Sequence, residues 1–270
     1  MRYIKEFYRF IKHIYNNKTL LITLIKNDFR KDYLGSYFGI LWAFIQPISF
    51  MFVIWFVFQI GFRARPVEGN VPFFLWLIAA MIPWNFISSA IMSGMNSVVS
   101  YSFLVRKVAF RVSILPLVKI GSVLIIHFGL VLFLFFITLI YGFAVSIYWL
   151  EIVYYIFASV VLILGMSWFL SSLKVFVQDI GNFVGILLQF GFWLTPIFWN
   201  ISIVPKKYQF IIKLNPFFYI IQGYRDSFIY HVWFWERWKI SIYFWVVALL
   251  FFIVGAIVFK RLRPHFGDVL

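Results

Sequence analysis

Residues 120–142 read IGSVLIIHFGLVLFLFFITLIYG. No charged side chain interrupts the run from Ile120 to Gly142, and as a helix it is long enough to cross a hydrocarbon layer of about 30 Å. The stretch decides the fold class: it is a membrane span, so the rest of the chain has to be read with lipid as its solvent. Working outward, it sits inside an apolar run over about residues 112–142, and similar runs cover about 37–60, 72–95, 150–173, 183–200 and 239–259. These predict an all-α polytopic membrane protein with six transmembrane helices. The run at 183–200 is short and ends in Thr195-Pro196, so it is expected to stop or bend near the far surface.

Composition agrees. Of 270 residues, 64% are hydrophobic and 12% charged, against about 45–50% apolar and 25% charged in ordinary soluble domains. That much apolar side chain cannot be hidden beneath the polar surface that 24 basic and 9 acidic residues supply. The +15 formal charge is concentrated in the first 35 residues, in Arg106, Lys107, Arg111 and Lys119 after the second span, and in Lys260, Arg261 and Arg263 after the sixth. With the amino terminus inside, cytoplasmic segments carry about twice the Lys and Arg of outward ones, as positive-inside topology requires. Both termini are therefore expected in the cytoplasm of a bacterial inner or plasma membrane protein. No zinc-finger spacing or separate basic domain supports nucleic-acid binding, and anionic lipid is the simpler partner for the basic flanks.

Two regions outside the spans have patterns of their own. Ile4, Phe7, Ile11 and Ile14 fall on one helical face and Lys5, Arg9, Lys12 and Asn16 on the other, which predicts an amphipathic helix lying along the membrane surface. Residues 1–35 are read as a cytoplasmic interfacial segment and 36–270 as the transmembrane domain. The segment lacks the short apolar region and small-residue cleavage pattern of a signal peptide. Between about 201 and 238, apolar pieces around Tyr208 to Ile212 and Pro216 to Ile221 are too short to cross and predict re-entrant helices before the last span. Sheltered by protein, they are expected to pack against spans five and six and to form part of an external mouth, where Arg225 and Asp226 are placed to form a local ion pair.

Catalytic chemistry is missing. The chain has no phosphate-binding loop of the GxxxxGK[ST] type, no cysteine, and four histidines in no metal-ligand spacing, so no catalytic or metal site is assigned. His127, inside a span, reads as a packed neutral residue with a hydrogen bond. The two long cytoplasmic turns stand out instead. Residues 100–111 mix apolar and basic side chains in a form suited to a docking helix. In 174–182, Asp179 is placed to cap the fifth span, and Gly181 with Gly185 to permit close helix packing.

In order along the chain, Leu34-Gly35-Ser36-Tyr37-Phe38-Gly39-Ile40-Leu41-Trp42 with Gln46-Pro47, Pro83-Trp84-Asn85-Phe86, Phe103-Leu104-Val105-Arg106-Lys107-Val108 with Ile114-Leu115-Pro116, Val175-Phe176-Val177-Gln178-Asp179-Ile180, Thr195-Pro196-Ile197-Phe198-Trp199, and Leu214-Asn215-Pro216 with Gly223-Tyr224-Arg225-Asp226-Ser227 are similar to motifs of the permease subunits of ABC-2-type polysaccharide exporters. The resemblance covers nearly the whole chain and is closest to the branch that translocates wall teichoic acid. It implies a homodimer paired with two cytoplasmic ABC ATPase subunits, which bind ATP and Mg, while this chain holds no cofactor. The implied cargo is an undecaprenyl-diphosphate-linked wall teichoic acid polymer; another lipid-linked polysaccharide such as an O-antigen or capsule is the alternative. An ion-driven secondary transporter is the more distant reading, and a non-transport scaffold a further one.

By the same resemblance, ATPase coupling falls on Tyr101, Phe103, Leu104, Arg106, Lys107, Phe176, Gln178 and Asp179. A pathway or outer gate falls on Phe192, Trp193, Thr195, Trp199, Tyr224 and Arg225. The chain departs from the family at Phe110-Arg111-Val112-Ser113, where relatives commonly carry Phe-Pro-Arg-Glu.

Overall fold

A computed structural model describes residues 12, 14–33, 37–63, 71–105 and 111–270. Most of the surface helix expected over the first 15 residues, and the basic pair Arg106 and Lys107, lie outside the described residues. Every element in the chain order is helical. Helix α1 (Lys18–Tyr33) is followed by α2 (Trp42–Phe56), entered through a 3-10 turn and prolonged by a π turn to Gly61. Then come α3 (Phe73–Ser100), α4 (Leu115–Ile140), α5 (Glu151–Lys174) and α6 (Ile180–Leu194). Two short helices, α7 (Lys206–Lys213) and α8 (Pro216–Arg225), precede the long α9 (Trp238–Leu262).

Among the described residues, five helices are long and apolar enough to cross a membrane: Gly39–Gly61, Phe73–Ser100, Val112–Ile140, Ile147–Lys174 and Trp238–Val269. Helix α6 is apolar but has only 15 residues, about 22 Å of helix against a layer of about 30 Å. It stops where the sequence predicts. Pro196 has no N–H and biases its predecessor away from helix, and Thr195 is extended (φ −84°, ψ 137°). The Thr195 hydroxyl donates to Gly191 O at 2.6 Å and accepts from Asn215 Nδ2 at 2.8 Å, which ties the end of α6 to the entry of α8.

Helix α3 is the axis of the fold. Its first half is almost wholly apolar, and Leu75, Leu77, Ile78, Ala79, Ala80, Ile82, Ile87, Ala90 and Ile91 are fully buried, as an apolar helix must be when neighbours surround it. α4 and α5 flank it, and α9 packs along α5. The α5–α9 contact is a backbone approach: a Cβ at Gly165 would lie 2.5 Å from Phe252 N, and one at Gly255 would collide with Gly165 O. Only glycine permits helices to come so close.

Helix α2 is held differently. The Phe44 ring lies where a Cβ at Gly129 of α4 would project, but most of α2 faces outward, with Phe50, Phe52, Val53 and Phe56 exposed.

The apolar face of α8 packs only partly where expected. It meets α9, the sixth predicted span, but its other main neighbours are α3 and α5, the second and fourth, and not the fifth. The reason is that α6 is short and turns much of its apolar surface away, whereas the first half of α3 offers apolar side chains on every side. A Cβ at Gly223 would overlap the Tyr155 ring, so α8 and α5 are in close contact there. A one-way hydroxyl relay locks the region: Trp245 Nε1 donates to Tyr154 (2.8 Å), Tyr154 to Tyr219 (2.9 Å), Tyr219 to Ser241 (2.8 Å) and Ser241 to Phe234 O (2.9 Å). The carbonyl end fixes the direction: Ser241 gives its one proton to Phe234 O, so it accepts from Tyr219, which in turn accepts from Tyr154.

Candidate functional site

A cleft of about 420 Å³ opens between α2, α3 and α6, a volume within the range of small-molecule sites. α2 contributes Pro47, Phe50 and Met51, α3 contributes Met81, Trp84, Asn85 and Ser88, and α6 contributes Leu188, Gln189, Phe192 and Trp193. The spacing of the α3 residues places them on one helical face. Aromatic rings form the wall: Phe192 lies between Phe50 (5.9 Å) and Trp84 (6.1 Å), with Trp193 beside it (5.6 Å). Trp84 is wedged against α6, where a Cβ at Gly191 would come within 2.9 Å of its ring.

The polar groups in the cleft are neutral. Ser88 donates back to Trp84 O at 2.9 Å, leaving the amides of Asn85 and Gln189 to face the space. Among the described residues, none of those lining the cleft is charged. Flat aromatic faces next to neutral amides suit a polyhydroxylated ligand, whose C–H faces stack on rings while its hydroxyls exchange hydrogen bonds.

The structure divides the residues predicted for a pathway or outer gate. Phe192 and Trp193 line the cleft. Trp199 donates from Nε1 to Trp193 O at 3.1 Å and braces its rim. Thr195 is buried in the α6–α8 junction described above. Tyr224 is buried in the core and lies 2.6 Å from Nε2 of His127, whose ring stacks on Phe86; the packed, hydrogen-bonded histidine read from the sequence is what is found. Arg225 is 2% exposed and donates to three carbonyls, Trp76 O (3.3 Å), Pro196 O (2.7 Å) and Ile197 O (2.6 Å), with its guanidinium over the Trp76 ring. Tyr224 and Arg225 therefore hold the segment after α6 in place and do not line the cleft.

The expected Arg225–Asp226 pair is not formed. Asp226 takes Arg237 instead, with Nε 2.5 Å from Oδ2 and Nη2 2.9 Å from Oδ1, and accepts from Gln222 at 2.9 Å. Successive helical residues point about 100° apart, so neighbours do not face each other. Burial pushes the Asp226 carboxyl above its ordinary range, and Arg237 and Gln222 draw it only part of the way back.

At the opposite end of α3, Phe103 is exposed and Leu104 half-buried, but Tyr101 is turned inward. In the second turn Phe176, Gln178 and Asp179 are exposed. Asp179 occupies the capping position of α6 without a side-chain cap hydrogen bond, although a negative charge at a helix amino terminus is favourable. The close helix packing expected at both glycines is not found: a Cβ at Gly181 would meet only the end of the Lys174 side chain, and one at Gly185 nothing within 4 Å.

Among the buried residues that sequence reading missed is Asp28. It falls on the apolar stripe of α1 behind Leu21, Leu24 and Ile25, at the i+7, i+4 and i+3 spacing of one helix face. A carboxylate in that register is the signal that marks it.

A family profile described as ABC-2 type transporter matches residues 19–229, most of the chain. An "O-antigen export system permease protein RfbA" of Klebsiella pneumoniae is 28% identical over 260 residues, covering 93% of this chain and 95% of that protein. A protein of the same name from Myxococcus xanthus is 26% identical over 230 residues, covering 83% and 85%.

Proposed function

The chain belongs to the ABC-2 type transporter family, and from that premise we propose that it is the multi-pass permease of an ATP-driven exporter for a lipid-linked polysaccharide of the O-antigen type. The single observation that carries this reading is the cleft between α2, α3 and α6, uncharged and lined by rings and free amides. A wall teichoic acid polymer, the cargo first inferred from the motifs, repeats anionic phosphates along its length. A lining without cations suits a neutral or mixed glycan better, and the similar permeases named above serve O-antigen export.

Two copies form the transport path. The outward faces of α2 (Phe52, Val53, Phe56) and α6 (Phe183, Ile186, Leu187, Phe190) are exposed in the single chain, and pairing across them turns two open clefts into one conduit. In that assembly α6 acts as the sixth membrane-inserted helix, its short length matched by the sheltered outer segment from Thr195 to Asn200. Both termini are cytoplasmic. Two ABC ATPase subunits bind ATP and Mg, meet the turns around 101–107 and 175–181, and drive α2, α3 and α6 apart or together. The diphosphate headgroup and the first sugars pass through the conduit while the prenyl tail stays in lipid.

The test is the substrate preference of the purified permease–ATPase complex in proteoliposomes. A neutral lipid-linked glycan is expected to accelerate ATP hydrolysis more than a lipid-linked polyol-phosphate polymer of similar length. The reverse order returns the reading to teichoic acid. In the same preparation, replacing Arg106 and Lys107 with Glu is expected to lower recovery of the complex, since charge reversal opposes a complementary surface; unchanged recovery removes that turn from the ATPase contact.

A further inference from the structure

We propose that Asp28 is the positioning residue of a buried polar joint that makes α1, the end of α3 and the start of α4 move as one block, so that a push on the first cytoplasmic turn reaches the membrane helices. The proposal rests on the assignment of that turn to ATPase contact.

The joint is built from four side chains on three elements. Asp28, 2% exposed, accepts from the Tyr101 hydroxyl at Oδ1 (2.7 Å) and from the Ser122 hydroxyl at Oδ2 (2.7 Å), and Lys119 Nζ lies 2.7 Å from Oδ1. The Lys119 ammonium also stands 5.5 Å from the centre of the Tyr101 ring. Tyr101 closes α3 and opens the one-turn helix Ser102–Val105, accepting at its carbonyl from the amides of Leu104 (2.8 Å) and Val105 (3.2 Å). The carboxylate thus grips the root of the turn whose tip, Phe103, is exposed.

The packing around the joint is close. A Cβ at Gly121 would come within 2.6 Å of Ile25 Cδ1, so α1 sits directly on the first turns of α4.

Apolar helix contacts can slide, since one greasy neighbour replaces another at little cost. A buried carboxylate with directed donors cannot, because a small rotation of α1 against α4 strands the charge. The joint therefore excludes intermediate positions, and displacement of the turn is handed to α1 and α4 without loss.

The test uses the complete permease–ATPase complex in proteoliposomes, with polymer moved and ATP hydrolysed measured together. Asp28→Asn and Lys119→Met are each expected to leave complex recovery near wild type and to lower polymer moved per ATP about tenfold, within the range usual for coupling between sites. The double variant is expected to be no worse than either single one, because both act on one joint. Unchanged polymer per ATP in both single variants, or losses that track complex recovery, overturns the proposal. If Asp28→Asn is not recovered, Tyr101→Phe decides, since it keeps the ring and removes one donor: reduced polymer per ATP supports the joint and wild-type coupling overturns it. A wild-type complex whose ATP hydrolysis ignores the polymer, or a permease that never captures an ATPase, overturns the underlying assignment and this proposal with it.

Discussion

The guanidinium carbon of Arg225 lies 3.4 Å from the centre of the Trp76 ring, and the same guanidinium binds the carbonyls of Pro196 and Ile197. This buried cation is satisfied by a ring face and backbone dipoles, without a carboxylate partner of its own. It staples the irregular segment after α6 to the head of α3, and so fixes the end of the cleft at the carboxyl terminus of α6.

Arg225→Ala removes the side-chain donor to the carbonyls of Trp76, Pro196 and Ile197 and is expected to cost about 3 kcal/mol or more. Arg225→Lys keeps the charge but not the planar fork, and is expected to fall between alanine and wild type. Thermal unfolding of the purified protein in detergent checks both; a lysine variant as stable as wild type contradicts the fork.

Asp226 supplies a pH test. An acid whose folded pKa is raised binds its proton more tightly in the folded state, so its favourable contribution is present at low pH and is lost as pH rises through the folded value. Burial raises this one, and Asp226→Asn removes the titration. The stability of wild type relative to the asparagine variant is therefore expected to increase as pH is lowered from neutral. A constant difference in melting temperature across that range refutes the direction.

Trp193 and Trp84 share the cleft but not its depth. Trp193 is 52% exposed and Trp84 only 6%. Trp193→Ala is expected to reduce polymer export while leaving insertion and assembly intact, whereas Trp84→Ala opens a cavity costing about 3–5 kcal/mol and lowers the yield of folded protein. Export assays and size-exclusion profiles side by side decide; equal loss of folded protein in both makes Trp193 a packing residue.

The glycines separate in the same way. Gly255→Ala drives a methyl group into the Gly165 carbonyl and is expected to be strongly destabilising, while Gly185→Ala, projecting into open space, is expected to leave monomer stability unchanged. Melting temperatures of the two variants check this; comparable values refute the close α5–α9 contact.

Much of this architecture is legible in the amino-acid order. Ile120 to Gly142 and the other long runs become helices within a few residues of the expected limits, because hydrocarbon thickness sets a length that composition alone can meet. The stop at Thr195-Pro196 follows from proline's missing N–H. Less legible was everything that depends on which face meets which neighbour. Arg225 and Asp226, adjacent in sequence, turn to different partners because the helix rotates them apart. Tyr101, placed by motif on a docking surface, points inward because Asp28 receives it there. The sequence also could not place α8 against α3 in preference to α6, since apolar side chains do not specify which apolar partner they cover.

The most direct test of the central claim is polymer movement in sealed proteoliposomes that hold the purified permease with its ATPase and a fluorescent lipid-linked glycan. ATP-dependent transfer of the glycan across the bilayer is expected, abolished when the ATPase is omitted. Full ATP hydrolysis with no transfer of any lipid-linked glycan, or transfer driven by an ion gradient without the ATPase, contradicts it.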